Sequence, residues 1–292
     1  MARAEILVVK LGALGDVLRT TPLLRRLKGR VTWATKKEAF PLLAGNPKIA
    51  RLIDANSPGS LTARRYDLVV NFDEDDAACR LAAKADASRR VGAYFRDGEK
   101  AYCAASAPWF DMSLISRLGR TKADILKRRR RRTYQDYLFR ACGFEFHGEE
   151  YMLPGAYARA QKGSVALEAT AGRTWPLKRW TEYGELFAAL NSEGTPAFVL
   201  RRRRSLLDYA RDVAAAEVIV AGDTLAMHLG LALRRRVVAL FTCTSPDEIH
   251  GYGRLIKLTH PDLAEYFYRR DDRAPSRGGI PVERVLRAVR RR

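Results

Sequence analysis

Apolar residues gather in short runs that alternate with stretches of helical period. "EILVVK" near the start reads as a strand and Val17 to Lys28 as the helix after it. "VTWAT" is a second strand, followed by a segment from Lys37; "YDLVVNF" precedes the amphipathic "DEDDAACRLAAKAD", and "RVGAYF" follows. Beyond a connection containing proline and glycine, "EEYMLPGAYARAQKG", the alternation resumes. It runs through "SVALEA", a helix from Thr181 to Leu190, "PAFVL", a helix around Leu206 to Ala215, "EVIVAGD", "LAMHLGLAL" and "RRVVALF". Val282 to Arg292 reads as a terminal helix. Strands alternating with helices predict βαβ units, hence an α/β fold of two Rossmann-like domains with parallel sheets facing each other across a cleft. Ligands of open α/β sheets sit at the C-terminal ends of the strands. Chemistry is therefore expected just after "LVVK", "VALEA", "VIVAG" and "VVALF".

The first of these turns, in "VVKLGALGDVLRTTPLL", carries Gly12, Gly15 and Asp16. Its layout is that of a phosphate cradle, but a carboxylate there repels an anion, and GxxG matches neither the dinucleotide fingerprint nor a Walker loop. Residue by residue, Asp16 reads as the N-cap of a helix beginning at Val17, with Pro22 bending or loosening that helix near Leu18. After "VALEA", the stretch "TAGRTWPLKRW" sets Arg173, Lys178 and Arg179 around two tryptophans. That is either a cationic clamp for a diphosphate or a helix start anchored by a buried tryptophan. After "VIVAG", Asp223 and Thr224 open a helix that also carries His228. A lone histidine on an apolar helix reads as a packed, hydrogen-bonded residue, and with no His or Cys beside it metal ligation is not indicated.

Length and charge refine this picture. The 292 residues suffice for two domains with cores of their own. A formal charge of +20 invites polyanions, and it is spread over both halves: 29 basic and 18 acidic residues up to Gly155, 24 and 15 after it. Most arginines fall in tracts, such as Lys127 to Arg132 and Arg201 to Arg204, that read as solvated faces or as contacts with an acidic membrane surface. No helix-turn-helix, zinc-finger or RNA-binding signature accompanies the charge, so a specific nucleic-acid partner is not expected. No charge-free run approaches the roughly 18–20 residues of a bilayer span, and "MARAEILVVK" has no signal-peptide core. The expected location is cytoplasmic, with peripheral contact at the inner membrane face. Cys79, Cys103, Cys142 and Cys243 form no CxxC and suggest neither a zinc site nor a disulfide framework.

Taken together, "VVKLGALGDVLRTTPLLRRLK", "GRTWPLKRW", "AGDTLAMHLGLAL" and "VVALFTCTSPDEIHGYG", with "TYQDYLFRACGFEFHGEEY" between them, resemble glycosyltransferase family 9, the heptosyltransferases of lipopolysaccharide assembly. The resemblance implies a GT-B architecture: residues 1–155 as an acceptor-binding domain and 156–292 as a nucleotide-sugar-binding domain, the terminal helix packing back on the first. It implies inverting, metal-independent transfer of a heptose from ADP-heptose, a substrate rather than a cofactor, to a glycan hydroxyl by a monomer. Asp16 then matches the family's general base, with Gly12 and Gly15 letting the acceptor approach. Arg173 matches a phosphate-contacting lysine, and Lys178 is a second cation within reach. Asp223 and Thr224 match the "DT" that holds the donor, and His228 has a structural or donor-side role.

The chain departs from the family pattern on the donor side. "FVLRRRRSLLDY" replaces a glycine-rich turn and its glutamate, "FTCT" replaces "FGPT", and "DLAEYFYRRDDRAPSRGG" lacks cysteines common in related sequences. These departures motivate an alternative, a weak or inactive homologue that binds anionic glycan or lipid headgroups through its arginines.

Overall fold

The computed structural model describes residues 3–59, 61, 64–270 and 279–291. The chain divides into two compact units, Met1–Pro154 and Gly155–Arg292. Residues 271–278, part of the cysteine-free "DLAEYFYRRDDRAPSRGG" stretch, and Arg292 of the terminal segment lie outside the described residues.

In the first unit, strands β1 (Glu5–Val9), β2 (Arg30–Thr35), β3 (Ile49–Asp54), β4 (Arg65–Asn71), β5 (Asp86–Arg96) and β6 (Glu99–Tyr102) form one sheet in the order β3-β2-β1-β4-β5-β6. Ile6 to Val9 are buried on both faces, which is why this run of β1 is apolar and does not alternate. Every pairing is parallel except β5 with β6, which corrects the expectation of a wholly parallel sheet. Asp97 and Gly98 between these strands both take positive φ, 51° and 84°, the two-residue turn that sends a chain straight back on itself.

The first helix also differs from expectation. α1 spans Leu14–Thr20 with Ala13 as its N-cap, so Asp16 is its third residue and makes no capping bond. The disturbance caused by Pro22 falls after Thr20, not at Leu18: a 3-10 turn, Thr21–Arg25, takes over there. Pro22 has no N–H to offer the Leu18 carbonyl, which accepts instead from the backbone N–H and the hydroxyl of Thr21 (Oγ1 to O, 2.7 Å). α2 (Asp76–Lys84) is capped by Asp75; α3 (Ala107–Phe110), α4 (Arg120–Arg129) and α5 (Tyr134–Cys142) follow.

In the second unit, β7 (Gln161–Glu168), β8 (Ala197–Val199), β9 (Ala216–Gly222), β10 (Arg236–Phe241) and β11 (Leu255–Thr259) form a parallel sheet in the order β11-β10-β9-β7-β8. Its helices are α6 (Tyr183–Ser192), α7 (Leu206–Ala215), α8 (Leu225–Ala232), α9 (Leu263–Tyr266) and α10 (Val282–Arg290). α10 is amphipathic, and its apolar face is buried within the second unit. Val285, Leu286, Ala288 and Val289 on its apolar face join the core built around Trp180, Leu186 and Val238. Arg236 Nη2 donates to the Val289 carbonyl at 2.6 Å and holds the end of that helix.

Both sheets reverse their strand order once, between β1 and β4 in the first and between β7 and β9 in the second. Such reversal points open crevices beyond the strand ends.

Candidate functional site

The loop after β1 and the end of β4 meet at the first reversal point. Lys10, 3% exposed, forms an ion pair with Asp73, 7% exposed, and its Nζ also donates to the Phe72 carbonyl at 3.4 Å. The other Asp73 oxygen accepts the backbone N–H groups of Leu11 and Gly12, the latter at 2.9 Å. One carboxylate thus satisfies a buried ammonium and fixes the glycine turn. Burial alone would lower the Lys10 pKa, but the charges of Asp73 and Asp16 and the Asp73 hydrogen bond raise it, so the ammonium stays protonated.

Gly12 sits where three charged groups converge. A Cβ there would lie 2.8 Å from Asp73 Oδ1, 3.3 Å from Lys10 Nζ and 3.5 Å from Asp16 Oδ2. The other Asp16 oxygen pairs with Arg19 Nε at 3.0 Å, and the Arg19 guanidinium lies 4.1 Å from the Tyr134 ring centroid. Tyr134 is fully buried, hydrogen-bonds Thr20 Oγ1 at 2.8 Å and meets Trp109 edge-on. α1 and α5 therefore grip Arg19, and Arg19 orients the Asp16 carboxylate.

The second reversal point gathers Lys178, Asp223, Thr224 and His228. Lys178 Nζ donates to both Asp223 Oδ2 and the Asp223 carbonyl at 2.8 Å, and His228 Nε2 lies 3.9 Å from Asp223 Oδ1. Burial would raise the Asp223 carboxyl, but the charges of Lys178 and His228 and the Lys178 hydrogen bond hold it below the usual carboxylate range. Gly222 lets the preceding loop lie against β9, since a Cβ there would sit 2.5 Å from the Lys178 carbonyl. Thr224 is the N-cap of α8 by position, yet its side chain makes no capping bond. Its Oγ1 is buried without a hydrogen-bond partner.

Arg173 is not drawn into this cluster. It lies exposed in the loop after β7, while Lys178 is committed to Asp223. The two tryptophans of that loop divide the alternatives between them. Trp180 is a buried anchor whose Nε1 donates to the Ile280 carbonyl at 3.0 Å, whereas Trp175 is half-buried with the Arg270 guanidinium 4.6 Å from its ring. In the altered "FTCT" loop, Thr242 Oγ1 donates to the Leu177 carbonyl at 2.5 Å, so a side chain absent from the family's glycine ties this loop to the one bearing Lys178. Cys243 is buried, its thiol pushed up to about 12 by burial.

Lys10, Asp73, Arg19 and Tyr134 escaped the sequence reading. Asp73 stands just past the apolar run of β4, a position that qualifies it for a site, but its partner Lys10 lies sixty-three residues away and only the β1–β4 pairing joins them. Among the described residues, no group of three or more His, Cys, Asp or Glu could hold a metal ion.

Residues 197–266 match the family model of glycosyltransferase family 9 (heptosyltransferase). No curated protein matches the chain. Among solved structures, it is similar to the family 9 glycosyl transferase from Veillonella parvula, at 17% identity over 99% of this chain and 96% of that one, with a TM-score of 0.71. It is similar to E. coli heptosyltransferase WaaC with ADP, at 16% identity over 97% and 98% of the two chains, TM-score 0.64. It is also similar to TibC from enterotoxigenic E. coli, an iron-containing dodecameric glycosyltransferase, at 14% identity over 99% of this chain and 75% of that one, TM-score 0.61. The sequence match to family 9 is confined to residues 197–266, and both units share the GT-B fold of the solved glycosyltransferases of that family.

Proposed function

We propose that the protein transfers a heptose or related sugar from an ADP-sugar to a hydroxyl of a lipopolysaccharide-core or similar anionic glycan, with inversion and without a metal. The observation that carries this reading is the placement of Asp16, paired with Arg19 beside the Gly12 turn at a sheet reversal point. In this role Asp16 takes the proton of the acceptor hydroxyl as its oxygen attacks the anomeric carbon. The bond to the diphosphate oxygen breaks as the new glycosidic bond forms, and a single displacement inverts the centre. The departing ADP carries its charge to the second unit. There Arg173, the Thr224 hydroxyl and the N–H groups opening α8 would contact the diphosphate.

Asp223 acts differently: its carboxylate neutralises Lys178 and fixes the loop, and His228 supports it from α8. ADP as the nucleotide is supported by WaaC, whose structure contains it on the same fold. The protein works as a monomer at the cytoplasmic face of the membrane, with no specific nucleic-acid partner. Among the described residues no helix is long and apolar enough to cross a membrane.

The test is ADP release from ADP-heptose in the presence of core glycolipid acceptors, with the parent and Asp16→Ala. The variant is expected to lose about 10²–10⁴-fold in transfer while binding ADP as the parent does. Transfer at the parent rate would remove Asp16 from the mechanism.

A further inference from the structure

Exposed apolar side chains concentrate in one part of the first unit. Leu114, Leu118 and Ile125 are 54%, 36% and 44% exposed, and they fall within a single short stretch between α3 and the middle of α4. That stretch runs into the most cationic part of the chain: residues 114–132 hold nine arginines and lysines against one acidic residue, Asp124.

On α4 the two features meet. On α4 the helical neighbours of Ile125 are Thr121, Lys122, Arg128 and Arg129, all exposed, while Ala123 is the helix's buried residue. Ile125 is thus an aliphatic side chain ringed by three cations. Arg117 and Arg120 pair with Asp111 and Asp124 at 3.3 and 3.0 Å, but Lys122 and Arg129 have no carboxylate partner among the described residues. Folding gains nothing from leucines and an isoleucine left in water beside concentrated like charge. An anionic bilayer rewards both, since headgroup phosphates take the cations and the acyl boundary takes the aliphatic groups. A nucleic acid would reward only the cations, and the exposed side chains here are aliphatic, not the aromatic groups on which bases stack.

We infer that residues 114–132 form the protein's docking surface for an anionic membrane, with α4 along the headgroup layer and Leu114, Leu118 and Ile125 dipping into it. The inference is independent of sugar transfer, and its test does not read activity.

The full chain would be floated with vesicles of phosphatidylcholine alone and of phosphatidylcholine mixed with phosphatidylglycerol. Expected is capture by the anionic vesicles only, weakening as salt rises. Replacing Leu114, Leu118 and Ile125 together by serine leaves the charge unchanged and should lower partitioning at least about tenfold. Lys122→Glu with Arg129→Glu should do the same through charge. All these positions are exposed, so thermal unfolding should show both variants folded. Duplex DNA provides the contrast: retention by the parent and the serine variant alike marks diffuse charge. If the vesicles behave in that way too, or if the parent ignores anionic vesicles, the inference is overturned.

Discussion

Asp73 and Asp223 each answer a buried or half-buried lysine, and each should show it in stability. Asp73→Asn removes the carboxylate charge paired with the buried Lys10 ammonium, and should cost about 3–5 kcal/mol in urea unfolding. Adding Lys10→Met removes the stranded charge and should recover part of that loss; a single variant as stable as the parent would contradict the pairing. For Asp223 the sign follows from its lowered pKa. The folded carboxyl binds protons less readily than the unfolded one, so its contribution is full above the ordinary value of 3.8 and is lost as pH falls through the lower folded value. The stability gap between the parent and Asp223→Asn should therefore be widest near neutrality and close below about pH 3.8. A constant gap from pH 7 to pH 3 would mean that the carboxylate is not held by Lys178. At this scale Asp223 and Thr224 stand out in the sequence because they follow directly on the strand β9, and Asp16 because it comes with the glycines after β1. Lys10 and Asp73 were not, because nothing local in either segment announces a partner on another strand.

Elements with strong local signals were read closely. α7 occupies Leu206–Ala215 as expected, opened by Ser205, which accepts from the Asp208 N–H. α1 was read three residues late because Gly15 looks like punctuation, yet its backbone is helical and buried. α5 went unread although its ends carry recognisable signals: Thr133 caps its start through the Asp136 N–H, and Gly143 closes it at φ 88°. β6 was missed despite the Asp97–Gly98 turn that makes it. Register between elements also depends on single residues. Gly92 in β5 has φ 101°, and a Cβ there would lie 1.7 Å from the carbonyl oxygen of Asn71, two residues before Asp73. Gly92→Ala should therefore destabilise by about 1–3 kcal/mol or more in denaturant titration and disturb the Lys10–Asp73 turn. Gly184→Ala is the control, since the site is open and lies in α6, where alanine should add up to about 1 kcal/mol. Equal effects at the two positions would count against the β4–β5 register.

Across the whole molecule, two sheets each place a cluster of charged side chains at the point where strand order reverses. The alternation of strands and helices made that architecture readable. What it could not supply was the division of labour among cations: Lys178 pairs with Asp223, while Arg173 lies exposed outside that pair. The donor-side departures bear on the same question, since the altered loop is anchored through Thr242 and not lost. Calorimetric titration with ADP, beside UDP and GDP and with no divalent metal added, addresses it directly in the parent and in Arg173→Ala. Selective binding of ADP by the parent is expected. The variant should bind about ten- to a hundredfold more weakly, as loss of one charge-assisted contact of ~1.5–3 kcal/mol requires. No binding of any nucleotide, or binding indifferent to the base and to Arg173, would contradict a working ADP-sugar site in the second unit.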